Sequence, residues 1–263
     1  SSPISPRERS DFNADWRFHL GDGLQAAQPG FADNDWRVLN LPHDWAIEGD
    51  FSRENPSGTG GGALPGGVGW YRKTFSVDKA DIGKIFRIEF DGVYMNSEVF
   101  INGVSLGVRP YGYISFSYNL TPYLKWDEPN VLAVRVDNAE QPNSRWYSGC
   151  GIYRNVWLTK LNPVHVAQWG TYVTAEEVSK NSARLKIRTS LQYDVEMQTE
   201  DSVQQAEILR IAHRTVDIER TARGRVHVGP RVGKNERGGI EQMQSNPQRE
   251  QNSGPYAELD ALR

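Results

Sequence analysis

Arginine, asparagine, tryptophan and tyrosine crowd into one run, Asn143-Ser144-Arg145-Trp146-Tyr147-Ser148-Gly149-Cys150-Gly151-Ile152-Tyr153-Arg154-Asn155-Val156-Trp157-Leu158. Its first half sets Arg, Trp and Tyr beside serines and glycines, which is loop chemistry carrying recognition side chains. Its second half, residues 152–158, alternates apolar and polar residues and predicts a strand. Planar donors and aromatic faces held at the mouth of a strand suit a sugar. Arg and Asn meet hydroxyls in a fixed fork, and Trp and Tyr stack on the apolar face of a pyranose. The plainer reading makes Trp146 and Tyr147 core aromatics and Arg145 and Arg154 surface charges.

Other chemistries find little support. The single cysteine, Cys150, has no His in its motif and allows no internal disulfide, and the five His residues show no metal spacing. The run Gly58-Thr59-Gly60-Gly61-Gly62 lacks the Lys-Ser/Thr ending of a phosphate loop and follows no parallel-sheet strand. Asp44 and Glu48 fall in a loop without a partner of defined geometry. No catalytic residue, metal or cofactor is therefore assigned. A net charge of −3 gives no electrostatic case for nucleic acid or an anionic membrane as partner. No run approaches the ~18 apolar residues of a membrane helix. Ser1-Ser2-Pro3-Ile4-Ser5-Pro6 has neither a charged n-region nor an apolar h-region. The protein is then either periplasmic or secreted after removal of a signal peptide, or cytoplasmic.

The elements that must position the loop read as β-structure. Residues 1–10 read as a disordered lead. Trp16, Phe18 and Leu20 at period two predict a first strand within residues 11–20. Residues 41–45 open an irregular region, and residues 51–69, rich in Gly, Ser, Pro and Asn, read as a mobile loop. Strands follow at residues 70–77, 84–90, 97–101, 104–108, 111–118 and 130–136. Asn102-Gly103 is the hairpin turn between two of them. Short strands, frequent turns and no long amphipathic helix predict an all-β chain, an antiparallel jelly-roll β-sandwich. All eight Trp residues lie at or before Trp169, where a core and aromatic platforms would both need them.

The segments Leu41-Pro42-His43-Asp44-Trp45, Gly69-Trp70-Tyr71-Arg72-Lys73-Thr74-Phe75, Phe90-Asp91-Gly92-Val93, Val99-Phe100-Ile101-Asn102-Gly103 and the 143–158 run occur in order. Together they resemble the N-terminal sugar-binding domain of glycoside hydrolase family 2, most closely its β-galactosidase-like members. The resemblance covers residues 10 to 161, and more weakly residues up to 192. It implies a retaining glycosidase whose two catalytic glutamates stand in a (β/α)₈ barrel beyond these sandwiches. Asn235-Glu236 matches the dipeptide before the family's acid/base but has no strand before it, so this chain lacks the catalytic barrel and both glutamates. The partners implied are a β-linked oligosaccharide or glycoside and the missing barrel. The implied substrate-binding residues are Asp44, Asn55, Arg145 and Trp146, lining the subsite of the nonreducing sugar. Asp44 would accept from hydroxyls, Asn55 would donate and accept, and Arg145 would donate a forked pair. Plain turn or cap bonding is the competing role for Asp44 and Asn55. Arg145 stands where family members place an acidic side chain, against a sodium site. Asn138, Arg154 and Trp157 are assigned to strand-end bonding, a sheet-edge ion pair and core packing. A stand-alone lectin-like module is the alternative function.

The reading divides the chain into a jelly-roll sugar-binding domain at 11–161, the start of an immunoglobulin-like β-sandwich at 162–192, and a disordered or non-native tail at 193–263. Asn162-Pro163 marks the first boundary. Strands at 164–169, 170–173 and 183–191 are far fewer than the ~7 of a complete sandwich. From residue 193 onward, Lys is reduced to Lys234 and the aromatics to Tyr193 and Tyr256. A shifted reading frame after residues 191–194 or a lineage-specific extension accounts for the change.

Overall fold

A computed structural model describes residues 7–180 and 183–193 and the backbone of residues 218–220 and 226–228. The described residues form strands joined by turns and short 3-10 segments, with no α-helix among them. The first ten strands are β1 (Arg7–Asp11), β2 (Trp16–Leu20), β3 (Arg37–Leu39), β4 (Gly67–Ser76), β5 (Ile85–Phe90), β6 (Ser97–Ile101), β7 (Val104–Arg109), β8 (Phe116–Asn119), β9 (Pro129–Asn138) and β10 (Val156–Leu161). They build a four-stranded sheet of order β1-β10-β5-β8 and a six-stranded sheet of order β3-β2-β4-β9-β6-β7. Every strand pair in them is antiparallel. The chain crosses repeatedly between the sheets, as in a jelly roll.

Period-two alternation decides what each sheet buries. Phe86, Ile88 and Phe90 of β5 and Val156 of β10 face Trp16, Phe18, Tyr71, Val99, Ile101, Leu132, Val134 and Val136 of the other sheet in one core. Each such apolar side chain contributes roughly 1.5–3 kcal/mol through burial. The outer face of the six-stranded sheet is covered too. Trp70, Phe100 and Ala133 pack there against Ala26, Ala27 and Trp36 of the segment between β2 and β3. Arg72, 2% exposed, ties that segment down. Its guanidinium donates to Asp33 at 2.7 Å, to the Gln28 carbonyl at 3.0 Å and to the Ala26 carbonyl.

The Asn102-Gly103 hairpin turns with φ of 50° and 86°, both central residues in the left-handed region that a two-residue turn requires. Three sequence expectations are corrected. Residues 7–11 are not a lead: β1 is an edge strand paired with β10 from Arg7↔Leu161 to Asp11↔Trp157. The aromatic alternation at 111–118 becomes a strand only from Phe116, because Tyr111 to Ser115 form the loop that closes over Tyr94. Residues 152–155 are loop as well. Gly151 exchanges hydrogen bonds with Tyr94, and His43 donates to the Ile152 carbonyl, so β10 begins at Val156.

Trp157 is not a core residue. It points away from the core beside Glu89 and Arg87, under the Arg9 guanidinium at 4.0 Å, and donates to Asp91 at 2.9 Å. Arg154 is exposed and forms no ion pair among the described residues. Asn138, at the end of β9 and 1% exposed, does bond at the strand end: it donates to the Gly149 carbonyl at 3.0 Å.

A further sheet follows, with β11 (Val164–Glu176), β12 (Arg184–Tyr193), β13 (Ile218–Arg220) and β14 (Val226–Val228) in that order. The two strands expected at 164–173 are one strand, bulged between Val166 and Thr171. Register puts Val164, Val166, Val173, Leu185, Ile187 and Leu191 on one face, of which Val164 and Val173 are more than half exposed. Arg7 donates to the Val166 carbonyl at 2.7 Å and Ser117 to Gln168 at 2.6 Å, joining this sheet to the sandwich. Within the residues assigned to the tail, β13 and β14 pair antiparallel from Ile218↔Val228 to Arg220↔Val226. The remainder of residues 194–263 lies outside the described residues.

Candidate functional site

Four loop regions meet at one end of the sandwich: residues 41–66, 94–96, 110–115 and 139–155. The last is held from several sides. Asn143 donates to Asn138 Oδ1 at 2.6 Å and to the Glu140 carbonyl at 3.1 Å, and accepts from the Tyr94 hydroxyl at 3.2 Å. The Ser144 and Ser148 hydroxyls meet at 3.2 Å across the loop. Its far limb is fixed by Asp44. Oδ1 accepts from the backbone N–H of Cys150 at 2.8 Å and of Ala46 at 3.0 Å, while Oδ2 accepts from the Tyr147 hydroxyl. Gly149 is required there: its φ is 77°, and a Cβ would lie 2.9 Å from Asp44 Oδ2. Burial raises the Tyr147 hydroxyl well above its usual pKa, and the Asp44 carboxylate raises it further, so it remains a neutral donor.

The anchored loop presents Arg145 and Trp146 to a hollow of about 480 Å³. This falls within the roughly 300–1,000 Å³ of small-ligand sites. Tyr94, Tyr111, Tyr113 and Trp146 supply its aromatic walls, with Met95 and Asn143 between them. Tyr94 and Tyr113 meet edge-to-face at 5.2 Å, as do Tyr111 and Tyr113 at 5.6 Å. The Trp146 indole donates to the Tyr113 hydroxyl at 3.0 Å, which fixes its orientation although the residue is 60% exposed. Gly112 makes room for the walls, since a Cβ there would fall 2.3 Å from the Tyr94 ring. Desolvation raises the pKa of Tyr94, whose hydroxyl stays protonated at neutral pH. Arg145 is exposed and forms no hydrogen bond or ion pair among the described residues.

The four residues singled out from sequence thus separate. Arg145 and Trp146 share the hollow. Asp44 bonds the back of the same loop, and both its oxygens are engaged by the protein. Asn55 donates its amide hydrogens inside the glycine-rich loop, to the Asp50 and Ala63 carbonyls at 2.8 Å each. That loop is cross-braced by these bonds and by Ser57, which donates to the Leu64 carbonyl at 2.7 Å. Sequence reasoning passed over Tyr94, Tyr111, Tyr113 and Asn143. The signal was present in the Tyr111-Gly112-Tyr113 spacing, which a loop after Pro110 accounts for as well as a strand does. Among the described residues no group of three or more His, Cys, Asp or Glu side chains could hold a metal ion, and no helix is long and apolar enough to cross a membrane.

The described residues thus form a two-sheet antiparallel β-sandwich with an aromatic, loop-built hollow at one end. Residues 63–162 match the sugar-binding domain of the glycosyl hydrolases family 2. It is 87% identical over 191 residues to the beta-galactosidase BoGH2A of Bacteroides ovatus, covering 73% of this chain and 22% of that protein. It is 35% identical to a beta-glucuronidase of Formosa agariphila, over 72% of this chain and 21% of that protein. The structure of a beta-glycosidase from Bacteroides vulgatus superimposes with a TM-score of 0.69 at 44% identity, over 72% of this chain and 24% of that one. The chain therefore spans about a fifth to a quarter of the length of these relatives.

Proposed function

We propose that the chain is the N-terminal carbohydrate-binding portion of a retaining β-glycosidase of the β-galactosidase-like kind, its loops lining the subsite of the nonreducing sugar. Hydrolysis of the O-glycosyl bond belongs to the full-length parent, whose barrel carries the two glutamates. The observation that carries the reading is the anchored 143–151 loop, which turns Arg145 and Trp146 toward one hollow walled by three tyrosines. Trp146 and the tyrosines offer stacking faces to a pyranose, while Asn143 and Arg145 offer polar groups to its hydroxyls. Residues 11–161 form the binding domain in this reading, and 162–192 begin an immunoglobulin-like sandwich whose apolar face awaits a second layer.

Titration of the 263-residue chain with methyl β-galactoside, followed by intrinsic fluorescence and by NMR, tests the reading. Saturable binding that Trp146→Ala abolishes is expected. A glycoside that perturbs neither Trp146 nor the tyrosines at any concentration overturns it. A second reading, a stand-alone lectin-like module, is favoured by the bracing of the 143–151 loop through Asp44 and Asn138 of the sandwich itself. Sequencing the DNA beyond codon 263 separates the two: a barrel in a neighbouring frame supports the first, and a stop codon together with sugar affinity supports the second.

A further inference from the structure

The thioether of Met95 is the group of the hollow most open to oxidation. The chain has three methionines, and Met95 alone lies among the described residues. Its backbone is held in place. The carbonyl accepts from the Asp137 N–H at 3.0 Å, and the neighbouring Asn96 amide donates to the Asp137 carbonyl at 3.1 Å. Its half-buried side chain lines the hollow together with the tyrosines and Asn143, where a small solute reaches it.

The Asn143 amide is overcommitted beside that sulfur. Its Nδ2 has two hydrogens and three acceptors in reach: Asn138 Oδ1 at 2.6 Å, the Glu140 carbonyl at 3.1 Å and the Met95 sulfur at 3.4 Å. A thioether is a weak acceptor and loses this competition. A sulfoxide is polar, and its oxygen competes where the thioether does not. The Glu140 carbonyl, the longer of the two oxygen contacts, is the one it displaces. Asn143 holds the near end of the loop that carries Arg145 and Trp146, so the oxidation state of one sulfur decides how that end is held.

We propose that Met95 is an oxidation site whose sulfoxide resets the loop carrying Arg145 and Trp146. The oxidant is a hydroperoxide. A sulfur lone pair forms the S–O bond as the O–O bond breaks, and the departing hydroxide takes the proton left on the transferred oxygen and leaves as water. Sulfur gives up two electrons and the peroxide accepts them. A thiol-dependent sulfoxide reductase restores the thioether. The consequence for sugar affinity rests on the sugar-binding reading above, whereas the oxidation and the movement of the loop do not.

The test treats the full 263-residue chain with hydrogen peroxide at neutral pH and follows peptide masses and tryptophan emission. Met95 should oxidise at a rate comparable to N-acetylmethionine amide. Emission should change in step, return with methionine sulfoxide reductase, and show no change in Trp146→Phe. Met95→Leu, a swap of similar volume, should show no emission change with peroxide. Affinity for methyl β-galactoside should fall about fivefold on oxidation, the worth of one net hydrogen bond, and Met95→Leu should bind alike before and after peroxide. A Met95 that reacts only after unfolding overturns the proposal and leaves the sugar-binding reading in place. Oxidation of Met95 that leaves the Trp146 emission unchanged, or an equal loss of affinity in Met95→Leu, does the same. An emission switch in a chain that binds no glycoside, oxidised or reduced, sustains the proposal and overturns the sugar-binding reading.

Discussion

The carboxylate of Asp44 accepts a hydrogen bond from the hydroxyl of Tyr147, 103 residues further along the chain. The same carboxylate receives the backbone N–H of Cys150, so one side chain of the 41–45 segment determines where the 143–151 loop lies. Arg145 and Trp146 sit on the span of loop that this contact and Asn143 hold at its two ends. Asp44 thus acts on the hollow through the loop rather than by entering it.

Tyr147→Phe should cost about 1 kcal/mol, a hydrogen bond to a charged group discounted for the exposure of Tyr147. Asp44→Ala should cost more, about 2–3 kcal/mol, because it also strands the N–H of Cys150 and of Ala46. Urea unfolding of the two variants checks the order. Equal losses would mean that the backbone bonds contribute nothing.

Arg72→Met should destabilise by about 2–3 kcal/mol, since it removes the nearer of the two arginines on the Asp33 carboxylate, leaving Arg17 at 3.5 Å, and takes the side-chain donor from the Ala26 carbonyl. The segment between β2 and β3 should loosen first, visible as faster amide exchange at Ala26 and Gln28. A variant as stable as the parent would show that the segment is held by Trp36 and its neighbours alone.

The sandwich was legible in the sequence because alternation and turn chemistry are local. Asn102-Gly103 demands a hairpin wherever it sits between apolar runs, and β6 begins and ends where its pattern does. Which face of a strand is inside is not local. Residues 156–158 alternate equally well with Trp157 inward or outward, and size alone favoured the tryptophan. The structure turns Val156 inward and covers Trp157 with Arg9, a residue of a strand too polar to recognise. Trp157→Ala should accordingly cost well under the roughly 3–5 kcal/mol expected for Trp16→Ala, whose ring is fully buried. Thermal unfolding of the pair decides. The hollow was legible only at Arg145 and Trp146, since its tyrosines come from residues 94, 111 and 113, which meet through tertiary packing alone.

Cys150 should be inert in the folded protein. It is 2% exposed, and burial pushes its thiol up to about 12, with the Asn138 bond opposing and Asp44 adding to the shift. Thiolate is the reactive form, so a disulfide reagent at pH 8 should label it only after unfolding in urea. Rapid labelling of the native chain would mean that the 139–151 loop opens far enough to expose β9's end.

His43 should make stability depend on pH. Its ring contacts the Tyr71 hydroxyl at 2.7 Å on one side, and Glu48 at 3.3 Å and Arg37 at 2.8 Å on the other, with Asp44 adjacent in the chain. Desolvation lowers its pKa, the Glu48 carboxylate opposes the change, and the Arg37 charge adds to it. A base whose pKa is lower folded than unfolded binds more protons in the unfolded chain, so stability is complete above the unfolded value near 6.5 and declines as pH falls below it. The protein should therefore lose more stability between pH 7.5 and 5 than His43→Gln, which has nothing to titrate at that position. Urea midpoints for both proteins across that range provide the measurement. Parallel losses would show that His43 takes up its proton as readily folded as unfolded, with Glu48 compensating fully for the buried ring.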